Sequence, residues 1–386
     1  MVDPADPPAT HLLHVFATFV AAGPQIRTVA LIRRFGNRFR HTIMPMDGQS
    51  DAARLLPPDV DVRIENPPAA TGPLRRPLLM RRRIQERAPD LLLTYNWGSF
   101  DAVLAARTLS GLAHVHHEDG FNIDEAHAQK RRRILLRRLA LSRTRMTVVC
   151  SRRLEEIARQ SWKIPDHRLR RIENGIHTDR FGPGPGLEER RRLGLPEDGL
   201  VVGTVGHLRP VKNFHRLLEA CARIDPGRAG NRPVHLLLVG DGPERASLEA
   251  LARDRRPPGG QVVFAGHQES LPDLYRAMDV FALSSDSEQH PVALLEAMCS
   301  GLPAAATDVG DVRPILPEAQ HRFLVKAEAG DAESALARCL EELLSGEALR
   351  AELGQQNRQR VLDRFSFSSM FEAYCETYEA ALTGEH

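Results

Sequence analysis

The chain has 386 residues, enough for two domains of ordinary size, and a hydrophobic content of 42% supplies real cores and excludes wholesale disorder. The net charge of +2 hides an asymmetry: residues 1–190 carry ten more basic than acidic side chains, and residues 191–386 eight more acidic than basic. A basic half suggests an anionic partner, although ordinary solvated arginine faces give the same count. Five scattered cysteines share no metal-type spacing and an odd count argues against a disulfide framework, so a reducing cytoplasm is the natural compartment. No apolar run approaches the length of a membrane span. The opening M-V-D-P-A-D-P-P-A-T-H lacks the basic region and apolar stretch of a signal peptide and reads as a short flexible tail.

Residues 12–16 read as a first strand, followed by a loop of small residues to Gly23-Pro24 and a helix over 25–35 with Ile26, Val29, Ala30 and Ile32 facing the core. Strands follow at 42–46 and 61–64, then a loop at 67–73 and a basic helix at 74–87. A buried strand at 91–94 enters a loop and a helix at 99–109. The strand at 113–116 runs into His117-Glu118-Asp119-Gly120, and an arginine-rich helix spans 125–143. Residues 146–150 form a strand, Ser151 caps the next helix, and 168–172 form another strand. The Gly/Pro cluster at 181–186 is the best linker. This places an N-terminal domain at 1–185 and a C-terminal domain at 186–386, with the last helices returning to the first. The second half restarts the rhythm, with strands at 200–205, 235–239, 262–264, 280–283, 303–306 and 323–325 and helices between and after them. Alternating strands and helices over both halves predict an α/β protein of two doubly wound parallel sheets facing a central cleft.

In such sheets a ligand sits at the carboxyl ends of the strands. Arg209 and Lys212 follow the strand at 200–205, three apart and just before a helix, where two cations suit a diphosphate. Gly240-Asp241-Gly242-Pro243 reads as a tight turn, and Gly266-His267 would offer groups to a base. Between 283 and 311, Glu288 lies in a loop and Glu296 in the helix after it. Pro291 suits the first helical turn, leaving the amides of Val292, Ala293 and Leu294 to face an anion. Glu296, among apolar neighbours, needs a partner: ribose hydroxyls, or an ion pair at the helix edge. His116-His117-Glu118-Asp119 raises zinc as an alternative, but adjacent residues of one loop rarely point at one metal and no further ligand is suitably spaced. A histidine bonded to a substrate hydroxyl, or satisfied internally, remains. The helix over 129–145 has an apolar side of Ile134, Leu135, Leu136, Leu139 and Leu141 and a basic one. It fits an anionic membrane surface or a plain solvated face; no aromatic interleaves with its arginines, so a nucleic-acid surface is missing.

Taken together these residues resemble a retaining glycosyltransferase of the GT-B fold, family four. The E-x7-E spacing of Glu288 and Glu296 with A-M-C-S-G-L-P, the loop G-H-L-R-P-V-K-N (206–213), V-G-D-G-P-E (239–244), F-A-G-H (264–267), L-Y-R-A-M-D-V-F (274–281) and E-N-G-I-H-T-D-R-F (173–181) all resemble family segments. The resemblance implies transfer of a sugar from a nucleoside diphosphate sugar, most commonly a UDP-sugar, to a sugar, lipid-linked or small-molecule acceptor hydroxyl with retention. It implies that Gly206, Arg209 and Lys212 hold the diphosphate, Glu296 the ribose, and Glu288 with Gln289 and His290 the donor sugar. It also places His117 beside the donor sugar near the reacting centre and Gly23 near the phosphates and acceptor. No metal is expected, the cations and helix dipoles doing that work. Gln289 and His290 stand where the family has Gly and Phe, one glycine stands at Ala22-Gly23 where two are common, and Glu118 stands where Asp is frequent. Polysaccharide or glycolipid assembly on the cytoplasmic face of a membrane is the expected setting. A nucleotide-sugar epimerase or phosphorylase of the same fold, and more remotely a polyanion-binding protein, are the alternatives.

Overall fold

A computed structural model describes residues 9–69, 72, 75–120 and 129–384. The predicted tail at 1–8, parts of the loop at 67–73, Leu74 and the expected start of the arginine-rich helix at 125–128 lie outside the described residues. Short apolar runs alternating with helices form two sheets, and every strand pairing within them is parallel. The chain divides into two compact units, Met1–Glu173 with Phe371–His386, and Asn174–Met370.

The first unit holds β1 (Thr10–Phe16), β2 (Phe39–Pro45), β3 (Val62–Ile64), β4 (Leu91–Tyr95), β5 (Ala113–Glu118), β6 (Met146–Val149) and β7 (Leu169–Arg171), in the order β3-β2-β1-β4-β5-β6-β7. Its helices are α1 (Gly23–Phe35), α2 (Arg76–Arg87), α3 (Phe100–Ala106), α4 (Arg131–Leu141) and α5 (Arg152–Gln160). Ser151 caps α5 as its sequence position predicts, its hydroxyl accepting from the Leu154 amide at 3.1 Å.

The second unit holds β8 (Leu200–Val205), β9 (Val234–Val239), β10 (Val262–Gly266), β11 (Val280–Leu283), β12 (Ala304–Thr307) and β13 (Leu324–Val325), in the order β10-β9-β8-β11-β12-β13. Between and after them run α6 (Leu187–Arg192), α7 (Phe214–Ala222), α8 (Arg245–Asp254), α9 (Pro272–Arg276), α10 (Val292–Cys299), α11 (Val312–Ile315), α12 (Ala332–Ser345) and α13 (Glu347–Arg364). The last helix, α14 (Phe367–Thr383), belongs to the first unit from Phe371 onward. The sequence reading lacks α6 and α11: the first, L-E-E-R-R-R, has one apolar residue and no period, and the second is four residues long with Pro314 inside it.

Period-two alternation explains both cores. In the second unit Leu200, Val202, Leu236 and Leu238 pack on one face of the sheet with Leu217 of α7 and Leu340 of α12. Val201, Leu237 and Val239 pack on the other with Leu294 and Leu295 of α10. In the first unit Leu13, Val15, Met44 and Leu92 meet Met80 and Ile84 of α2. The opposite face carries His14, His41, Tyr95 and His117, against Phe35 of α1 and Tyr374 and Tyr378 of α14.

That polar face changes α1 from its expected form. Val29 and Ile32 are buried as predicted, but Ile26 is 51% exposed and Ala30 half-buried, while Gln25, Arg27, Thr28 and Leu31 face inward. The inward face holds a buried ion pair, so apolar periodicity points at the wrong side. The arginine-rich helix differs similarly. Leu141 is buried, Ile134 and Leu136 are half-buried, and Leu135 and Leu139 are exposed, while Arg137 is buried over Trp97 and Trp162.

Candidate active site

Each sheet reverses its strand order at a switch point, between β1 and β4 in the first and between β8 and β11 in the second. Loops leaving the carboxyl ends of strands at such a point diverge and leave a crevice for a ligand. In the second unit those loops are 206–213, after β8, and 284–291, after β11.

The two loops are built as one piece. Asn213, with φ 44°, caps α7 by accepting from the Arg216 amide at 3.1 Å, and its amide nitrogen donates to Asp286. The buried Arg216 donates to the Ser284 and Ala327 carbonyls at 2.7 and 2.8 Å and pairs with Asp286 at 2.7 Å. Ser284 donates to the Lys212 carbonyl at 3.1 Å. Glycines let neighbouring segments come close. A Cβ on Gly310, which also has φ +55°, would lie 2.1 Å from the Glu288 carbonyl oxygen, and one on Gly240 2.0 Å from that of Gly206. Gly240, read from sequence as part of a tight turn, therefore also supports the first loop.

On this base Lys212 and Glu288 meet directly, Nζ to Oε1 at 2.6 Å, and Ser285 donates to the same carboxylate oxygen at 2.6 Å. Gly206 is half-buried and Arg209 is exposed at the mouth of the loop. Pro291 is the cap of α10 rather than its first residue, with Val292, Ala293 and Leu294 in the first turn. The amides of that first turn have no acceptor within the helix, which favours an anion. Leu294 itself is fully buried, so only its backbone is available there. Glu296 accepts from the Tyr275 hydroxyl at 2.7 Å. Desolvation pushes its carboxyl up to about 7, against the opposing pull of the Tyr275 hydrogen bond and the Arg180 charge.

Other expected site residues lie differently. His267 is exposed just after β10 and Gln289 half-buried. His290 is 4% exposed, edge-on to Phe365 at 5.5 Å, with its carbonyl accepting from Asn174 at 2.9 Å. Its imidazole is buried against Phe365. In the first unit Gly23 is exposed and opens α1. His117 is 1% exposed: Nε2 meets the Tyr378 hydroxyl at 3.1 Å, Nδ1 the Thr94 carbonyl at 3.3 Å, and the ring stacks on Tyr95 at 4.5 Å. Both ring nitrogens of His117 thus have partners within the first unit. Burial first, then the charges of Arg27 and His116, hold it well below its ordinary value, hence neutral.

Sequence reasoning missed the groups that position these residues. Tyr275, the partner of Glu296, sits in the L-Y-R-A-M-D-V-F segment, where a polar-tipped aromatic one turn into a short helix is the available signal. Arg27 makes a bidentate pair with Asp119 at 2.6 and 2.9 Å and lies over Tyr374. Asn96, with φ 54°, accepts from the Asp119 amide through its side chain at 2.7 Å. Glu118 meets Arg137 at 3.3 Å, both buried. Among the described residues no group of three or more His, Cys, Asp or Glu is arranged to hold a metal ion.

Residues 10–180 match the profile of Glycosyltransferase Family 4, and residues 187–360 that of Glycosyl transferases group 1. The chain belongs to glycosyltransferase family 4. This family 4 chain is 31% identical over 241 residues to the lipopolysaccharide core biosynthesis glycosyltransferase LpsE of Rhizobium meliloti (strain 1021), over 62% of this chain and 66% of that one. It is 32% identical over 169 residues to a GDP-mannose-dependent alpha-mannosyltransferase of Mycobacterium tuberculosis (strain CDC 1551 / Oshkosh), over 44% and 41% of the two chains. The match thus spans just under two thirds of the first relative and less than half of the second. Among solved structures, Anabaena Alr3699/HepE in complex with UDP aligns with TM-score 0.80 at 18% identity, over 96% of this chain and 100% of that one. The lipopolysaccharide outer core galactosyltransferase WaaB, in its apo form, aligns with TM-score 0.71 at 17% identity, over 98% and 100%. These likenesses establish the GT-B fold for the family 4 chain.

Proposed function

We propose that the protein transfers a sugar from a nucleoside diphosphate sugar, UDP being the nucleotide, to an acceptor hydroxyl with retention, in polysaccharide or glycolipid assembly. The observation that carries this reading is the Lys212–Glu288 pair at 2.6 Å, set on joined loops at the switch point beside the first turn of α10. A cation, a carboxylate and free helix amides in one crevice suit a ligand carrying both phosphates and hydroxyls. The second unit is the donor-binding domain and the first the acceptor-binding domain.

In this reading Arg209, Lys212 and the first-turn amides of α10 take the diphosphate. Glu296 accepts hydrogen bonds from the ribose hydroxyls beside Tyr275. Glu288 accepts from the donor sugar while Lys212 turns from it towards phosphate. The glycosidic C–O bond breaks with its electron pair left on the diphosphate, whose new charge the cations stabilise. The acceptor oxygen bonds to the anomeric carbon on the same face, and its proton passes to the departing phosphate. His117, buried and neutral, supports the strand end that carries Asp119. Gly23 leaves the start of α1 open, since a Cβ there would meet no atom within 4 Å.

The acceptor class rests on the LpsE likeness, which covers 62% of this chain. An anionic membrane surface is the proposed partner of α4, where Leu135 and Leu139, 56% and 52% exposed, lie among Arg131, Arg132 and Arg138. Among the described residues no helix is long and apolar enough to cross a membrane. Thermal-shift measurements against UDP, GDP and their sugars test the donor reading. A rise in melting temperature with UDP that Lys212→Ala removes is expected; no response to any nucleotide would overturn it. Flotation on anionic vesicles, lost at high salt, tests the membrane partner separately.

A further inference from the structure

The amino-terminal edge of the first sheet carries charged groups that the proposed transfer does not use. A cavity of about 440 Å³ opens there, where the connections from α3 to β5 and from α4 to β6 meet the residue preceding β7. Arg107, Arg143, Arg145 and Arg168 line it together with His114, and among the described residues no aspartate or glutamate does. None of the four arginines forms an ion pair with a described residue. Arg107 donates to the Leu139 carbonyl and the Ser142 hydroxyl, Arg143 to the Arg107 carbonyl, and Arg168 to the Ser142 carbonyl.

Those bonds have a structural side, since they serve carbonyls at the ends of α3 and α4. They also orient the guanidiniums of Arg107, Arg143 and Arg168 and use only part of their capacity, because each carries five N–H donors. Like charges gathered around one cavity without a counter-charge from a described residue repel one another, and an anion among them reverses the sign of that interaction. His114 adds no charge: burial and the neighbouring His116 lower it to about 3.

We propose that this cavity binds a phosphate group, carried by a small soluble ester or by a lipid headgroup. Esterified phosphate keeps three strong acceptor oxygens and suits planar, forked donors arriving from several directions. A carboxylate, with two oxygens, leaves more of the four guanidiniums unmet. The volume falls in the range of roughly 300–1,000 Å³ typical of small-molecule sites, so it admits an ester larger than inorganic phosphate. The site is separate from the loops that carry Lys212 and Glu288, which belong to the other unit.

Isothermal titration calorimetry of the full chain with glycerol 3-phosphate tests this, alongside flotation on phosphatidic acid and phosphatidylcholine vesicles. Arg145→Gln/Arg168→Gln should weaken glycerol 3-phosphate binding at least tenfold and leave UDP binding unchanged, whereas Lys212→Ala should do the reverse. Arg143→Gln, at an exposed side chain, should weaken it several-fold and serves if the double variant does not fold. Arg152→Gln/Arg153→Gln removes two charges from α5 as a control. Flotation on phosphatidic acid lost in the Arg145/Arg168 variant assigns the phosphate to a lipid, and soluble binding without flotation assigns it to a free ester. The proposal is overturned if the wild type binds neither probe, if the cavity variants bind as the wild type does, or if the control loses as much.

Discussion

The two units share a strand topology with a switch point and treat the polar groups near it in opposite ways. In the second unit Lys212, Glu288 and Glu296 are held by a few hydrogen bonds, and Arg209 is exposed. In the first unit the comparable groups are sealed. His117 is closed off by Tyr378 of α14, Arg27 is spent on Asp119, and Glu118 and Arg137 are buried together. One sheet carries its charges on loops at the strand ends, and the other uses its charges and histidines to tie α1 and α14 to the strands. Residue types alone therefore do not mark a ligand site. A histidine at a strand end can be an internal brace when an aromatic hydroxyl from a distant helix reaches it.

The sharpest way to break this comparison is to remove the second unit's pair. Lys212→Ala and Glu288→Ala should each lower donor turnover by about 10²–10³-fold or more, the cost typical of losing one transition-state electrostatic contact, with unchanged circular dichroism. Because the side chains touch, the double variant should lose less than the sum of the two in free-energy terms, as a double-mutant cycle will show. Near-normal turnover in either single variant would remove the site from these loops.

Arg27→Ala tests the brace. It leaves Asp119 largely buried without its bidentate partner, and urea unfolding should show a loss of about 3–5 kcal/mol. UDP affinity, which the proposed function assigns to the other unit, should change little where the protein remains folded.

The pH responses should have opposite signs. His14, His41, His114 and His117 are held below 6.5 chiefly by burial, His41 to about 4. They are neutral in the fold and protonate in the unfolded chain. Their stabilising effect is complete above about 6.5 and is lost as pH falls, by about 1.4 kcal/mol per pH unit for each histidine. Glu296, raised from 4.5 to about 7, behaves inversely: its contribution is complete below 4.5 and lost as pH rises through 7. Hydrogen exchange at pH 5 and 7.5 should therefore show the first unit loosening on acidification, with strands β1, β2 and β5 affected and β8 and β11 much less.

The smallest effect concerns Tyr275. Its hydrogen bond lowers the Glu296 pKa, so Tyr275→Phe should move that pKa above 7. In the proposed reading the ionised carboxylate accepts from the ribose hydroxyls, so the pH midpoint for UDP binding should shift upward and affinity at pH 7 fall several-fold. An unchanged pH profile would separate Glu296 from the nucleotide.

Sequence alone determined the alternation of strands and helices, and with it the parallel sheets, because period-two apolar runs and their turn residues are local signals. It also placed Arg209, Lys212 and Glu288 on strand-end loops and Glu296 inside the helix that follows, since a strand followed by a loop and a helix fixes where carboxyl ends lie. Tertiary structure decided which charges meet. Lys212 and Glu288 are 76 residues apart in the chain, and Tyr378 and His117 are 261 apart. No local pattern encodes such pairings. It also decided that His117 and His290 point into cores and that Ile26 points out, because burial depends on what packs against a residue. A face lined by an ion pair or by histidines inverts the inside-outside rule on which sequence periodicity rests.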